Sequence, residues 1–128
     1  MTFQWSDYCH LAKYLQGGRL EGVNPEACHR SAVSRAYYSA FCSARNYRQE
    51  KTGSKLPENS AVHHDVQVWF ESRKDPSSRA IASQLAILWQ KRLQADYDDL
   101  PRTLNPEKDS ALCILLAEEV LKKLGEIY

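Results

Sequence analysis

The stretch NPEACHRSAVSRAYYSAFCSARNYRQEKTG, from Asn24 to Gly53, decides the fold of this chain. Asn24 is an N-cap residue, Pro25 suits the first helical position, and no breaker follows until Gly53. The spacing therefore predicts one long helix. At 100° per residue Val33, Tyr37, Phe41, Ala44 and Arg48 fall within about 40° of Tyr37, which makes a core stripe. Arg35, Ser39, Cys42 and Asn46 lie almost opposite, beside a strip of small residues, Ala32, Ala36 and Ser43, that permits close approach of another helix. A helix buried on two sides is either central in a bundle or part of a dimer interface, and the spacing does not choose between them.

Working outward, four more segments carry helical periodicity and none alternates like a strand. The first runs from about Ser6 to Gln16, with Trp5, Tyr8, Leu11, Ala12 and Leu15 at helical spacing, and stops at Gly17-Gly18. The third runs from about Ala61 to Ser72 on Val62, Val66, Trp69 and Phe70. Asp75-Pro76 opens the fourth, which ends near Tyr97 before Pro101. Asn105-Pro106 repeats the start signal for the fifth, whose broad apolar face runs from Leu112 to Ile127. Short connections between amphipathic helices imply antiparallel neighbours. The expected fold is all-α, an up-and-down bundle of four to five helices forming a single domain over residues 1–128.

Composition narrows the class further. The 128 residues carry 17 Lys+Arg and 16 Asp+Glu, a formal charge of +1, which excludes a protein that coats a polyanion through bulk positive charge. That neutrality is a sum of opposites. Cys28 to Leu56 holds six basic residues and one acidic, whereas Ala95 to Ser110 holds five acidic and two basic. Such a dipolar chain suits a local phosphate contact or a partner with complementary patches. No run approaches the roughly 20 apolar residues of a membrane span, and no secretory signal opens the chain, so a cytoplasmic location without membrane attachment is expected. Cys9, Cys28, Cys42 and Cys113 form no C-x-x-C pair and read as reduced, buried thiols.

Polar residues interrupt the pattern most informatively on the fourth helix. Arg92 and Asp96 fall about 20° to either side of Leu85, so the stripe Ile81, Leu85, Leu88, Trp89 runs straight into a charged pair. Charges facing a core need partners, here each other at i, i+4 or Arg35. The pair is either a polar lock fixing helix register or the mouth of a site in which Arg92 holds phosphate. His63 and His64 open the third helix and offer acid/base chemistry near neutral pH, but they point about 100° apart. Asp96, Asp98 and Asp99 are either Mg²⁺ ligands or a solvated turn. No G-x-S-x-G or P-loop pattern is present.

The run Ser31 to Arg45, with Arg35, Tyr37, Tyr38, Phe41 and Ala44-Arg45, resembles the signature helix of HEPN domain proteins, in a prokaryotic branch that reads close to R-x-Y-Y-x-x-F-x-x-A-R. Arg92-Leu-Gln-Ala-Asp96-Tyr97-Asp98 is similar to that branch's R-x-x-A-D-Y-D, and Ala117-Glu118-Glu119-Val120 matches its last helix. The resemblance covers about Cys28 to the C-terminus. It implies a helical bundle, commonly a homodimer, whose polar positions meet in a cleft. It also implies a toxin-antitoxin or defence module that binds RNA or nucleotide phosphate, often a metal-independent endoribonuclease paired with a minimal nucleotidyltransferase. On that basis Arg92, Asp96 and Tyr97 are the catalytic candidates, and Arg35, Tyr38, His63 and His64 the ligand-binding ones. Neither a metal nor a cofactor is implied. The family's R-x(4 to 6)-H signature is not intact, because Asp96, Tyr97 and Asp98 stand where His would fall and no His follows. A non-catalytic interaction module, or a structural homodimer, is the alternative.

Overall fold

A computed structural model describes every residue from Met1 to Tyr128 except Gly18, so the glycine pair expected to stop the first helix lies partly outside the described residues. Five α-helices form among the described residues: α1 (Asp7–Gln16), α2 (Pro25–Thr52), α3 (Ala61–Glu71), α4 (Pro76–Tyr97) and α5 (Pro106–Ile127). The fold is an all-α bundle. No helix of the described residues is long and apolar enough to cross a membrane.

The helix boundaries follow local chemistry. Asn24 Oδ1 accepts from the Glu26 amide at 2.8 Å, Asp75 Oδ2 from the Ser78 amide at 2.9 Å, and Asn105 Oδ1 from the Lys108 amide at 3.1 Å. Each satisfies an orphan N–H of a first turn, and each is followed by proline at the first helical position. α2 ends where Gly53 adopts φ +67°, a left-handed conformation that glycine enters without steric cost.

Side-chain contacts fix the directions. Arg30 near the start of α2 reaches the end of α4, Lys91 of α4 pairs with Asp109 at the start of α5, and Trp5 before α1 meets Arg45 far along α2. Thus α1 and α4 run against α2 and α5. The C-terminal ends of α2 and α5 meet where the Tyr47 hydroxyl donates to the Ile127 carbonyl at 3.0 Å. The short α3 is tucked against α2 and α4, with His63 beside Tyr37 and Phe41, and Phe70 beside Tyr47. The chain from Gly53 to Ser60 therefore folds back along α2 before α3 begins.

α2 touches each of the other helices, which resolves its two buried faces as a central position. Ala32, Ala36 and Ser39 of the opposite face are fully buried within the chain. Close packing of α2 with α5 is consistent with the small buried side chains on both, Ala32, Ala36 and Ala40 on one and Ser110, Cys113 and Ala117 on the other. All four cysteines are free and buried, and burial pushes the Cys113 thiol up to about 12.

Candidate functional site

Arg92 is 8% exposed and lies with its guanidinium among the rings of Tyr37, Tyr38, Trp89 and Tyr97, 5.2 to 5.9 Å from each centroid. Its Nε donates to Asp96 Oδ2 at 2.9 Å, one turn along α4, and an Nη lies 3.4 Å from the Tyr97 hydroxyl. The fourth-helix pair thus partners itself at i, i+4, and the aromatic faces compensate part of the cost of burying the cation. Asp96 Oδ2 also accepts from Ser34 Oγ at 3.2 Å, and Ser34 Oγ lies 3.4 Å from an Arg35 Nη. Arg35 forms no ion pair with Asp96 among the described residues, where Arg92 is the carboxylate's partner. It joins their network only through Ser34 and through Tyr38, whose ring centroid is 5.4 Å from one guanidinium and 5.2 Å from the other.

Arg35 instead faces a cleft of about 840 Å³ between the start of α1, α2 and the segment that returns along α2. Arg35 lies over Tyr8 at 4.7 Å and Arg45 over Trp5 at 5.5 Å. The two rings are themselves packed edge to face, 5.5 Å apart, so the aromatic start of α1 braces both guanidiniums. Neither arginine has a carboxylate partner among the described residues, whereas Lys55 at the rim pairs with Glu58 at 3.4 Å. Arg92, Asp96 and Tyr97 are in the walls of neither this cleft nor the smaller cavity beside it.

His63 does reach the Arg92 end of the bundle. It stacks between Phe41 and Trp89, with centroids at 4.4 and 4.5 Å, and its Nδ1 is 2.6 Å from the Tyr37 hydroxyl. Burial, helped by the nearby Arg92 charge, lowers its pKa to about 4, so the ring is neutral at pH 7. Burial holds the Tyr37 phenol protonated far above its ordinary range, so two neutral groups share the short Tyr37 to Nδ1 hydrogen bond. A histidine whose pKa is near 4 is a weak general base at neutral pH. His64 is exposed and borders the smaller cavity with His63. Asp96, Asp98 and Asp99 do not converge. No group of His, Cys, Asp and Glu suited to a metal ion occurs among the described residues, and the backbone carbonyls of Asp98 and Asp99 accept from Arg30.

Sequence reasoning did not anticipate four contributors to this region. Arg45 closes the signature run and donates to Asn46 Oδ1 through Nε and an Nη at 3.1 and 3.0 Å, but no site role followed from its position. Trp5 and Tyr8 read only as apolar positions of α1. The return of Gly53 to Ser60 along α2 builds one wall of the cleft, and no sequence signal placed that segment. Comparison with family models, curated proteins and solved structures gives no match, so the reading of this site rests on its own geometry.

Proposed function

We propose that this chain is a HEPN-type component of a toxin-antitoxin or defence module that binds RNA or nucleotide phosphate, with binding rather than cleavage as its activity. The observation that carries the reading is the pair Arg35 and Arg45, two cations without carboxylate partners among the described residues, braced by Tyr8 and Trp5 over a cleft of about 840 Å³. Guanidiniums recognise phosphate oxygens in a planar, bidentate manner, and adjacent aromatic rings offer stacking surfaces for bases. Arg92, Asp96 and Tyr97 act as a positioning network beneath Tyr38 and Arg35. The weak basicity of His63 and the absence of any histidine after Arg92 favour binding over 2′-OH chemistry.

Filter binding of labelled single-stranded RNA tests this. Arg35→Ala and Arg45→Ala should each weaken binding about tenfold and flatten its salt dependence, since each removes a phosphate contact. RNA incubated with the protein in EDTA should be recovered intact. Unchanged binding in both variants sinks the reading, and cleavage that Arg92→Ala abolishes would restore the endoribonuclease alternative. The exposed leucines Leu112 and Leu115 of α5 support a compatible second feature, a homodimer or a nucleotidyltransferase contact through that helix. Leu115→Glu should then shift the sedimentation coefficient toward the monomer, or release a copurifying partner.

A further inference from the structure

Beside the cationic cleft lies a second cavity of about 310 Å³ with different chemistry, and Phe41 and His63 stand in the wall shared by the two. No Lys, Arg, Asp or Glu lines the second cavity. Trp89 and Ala86 of α4 give it an apolar side, and the amides of Gln67 and Gln90 stand at its edge. The His63 Nδ1 is taken by Tyr37, so its Nε2 is left without a protein hydrogen-bond partner among the described residues. A space lined by rings and amides, with His64 as its exposed member, offers phosphate no guanidinium or ammonium partner. It suits a flat heteroaromatic ring that carries its own donors and acceptors.

We infer that the second cavity takes one unpaired base of a single-stranded nucleic acid whose sugar-phosphate backbone lies in the Arg35 and Arg45 cleft. The inference rests on the phosphate-binding reading of that cleft and names its ligand class. Phe41 and His63 separate the two compartments, as base and phosphate are separated in a nucleotide. The rings of His63 and Trp89, themselves packed 4.5 Å apart, give the base an aromatic wall, and Gln67 and Gln90 bring amides to the same cavity. A base held in a duplex cannot enter, because its edges are paired and its faces stacked.

The test is fluorescence anisotropy with a labelled single-stranded RNA and an abasic ribose-phosphate strand of the same length, using the whole chain. The base-bearing strand should bind about tenfold tighter or more, the scale of one stacked base. Ala86→Phe, which fills the cavity, and Gln90→Leu, on the exposed side of α4, should lower the affinity for the base-bearing strand toward that for the abasic one. Both should leave abasic binding unchanged. Gln90→Leu keeps the test open if Ala86→Phe does not fold. Equal affinity of the wild type for both strands overturns the base cavity while leaving the cleft reading in place, as does discrimination that survives both variants. Binding to neither strand overturns both.

Discussion

Arg92 carries its charge into a ring of aromatic side chains, and Asp96 follows it only partway, with its side chain 26% exposed. Removing the arginine strands a half-buried carboxylate and empties space that four rings surround. Breaking a buried pair costs about 3 kcal/mol or more, and the water still reaching Asp96 moderates that figure. Arg92→Ala is therefore expected to lower unfolding free energy by about 2–3 kcal/mol in urea denaturation, with Arg92→Lys recovering only part because lysine lacks the planar fork. Tyr37 presents the complementary case. Tyr37→Phe deletes the hydroxyl partner of His63 Nδ1 while keeping the ring among Phe41, Trp89 and Arg92, so a loss of about 1 kcal/mol is expected. The i, i+4 pairing of Arg92 with Asp96 was legible in the sequence because helical geometry alone brings the two together. The Tyr37 to His63 hydrogen bond was not, since it joins residues 26 apart on different helices.

At the scale of the helix, the ends of α4 show what local signals carry and what they miss. Its start is written in Asp75-Pro76. Its end is held by Arg30 of α2, whose Nη atoms donate to the carbonyls of Asp98 at 2.6 Å and Asp99 at 3.1 Å, and one also lies 3.4 Å from the Ala95 carbonyl. A cation on the unsatisfied carbonyls of a helix C-terminus complements both their lone pairs and the helix dipole. Arg30→Ala should cost about 1–2 kcal/mol and should raise amide hydrogen exchange selectively from Ala95 to Asp99, leaving the α2 core protected. The small strip of α2 makes a second element-scale prediction. Ser39 is fully buried within the chain, so Ser39→Leu should overpack the bundle and lower thermal stability, with no change in oligomeric state before unfolding. The same substitution read from spacing alone would have reported on assembly, because a wheel shows that a face is covered and not by what.

Across the whole molecule, the histidine at the junction of three helices couples the bundle to pH. His63 in the unfolded chain takes up a proton near 6.5, whereas in the fold it does so only near 4. Its contribution to stability is thus fully present above about pH 6.5 and lost as the pH falls toward 4. Thermal melts should show this slope between those values, and His63→Phe, which keeps a ring between Phe41 and Trp89, should flatten it. Asp75 acts in a separate, more acidic window. Hydrogen bonds from the Ser78 amide and hydroxyl hold its carboxyl below the ordinary 3.8, so its stabilisation is lost only as the pH falls below that value. By itself the sequence determined the helices, the Asn24, Asp75 and Asn105 caps and the i, i+4 spacing that lets Arg92 meet Asp96, since each depends on residues within a few positions of one another. Only the tertiary structure decided that α2 is central, that the Gly53 to Ser60 segment folds back along it, and that Arg35 and Arg45 face a cleft while Arg92 lies beneath one. Those outcomes depend on which distant side chains fill the space between helices, and helical periodicity carries no record of a partner helix.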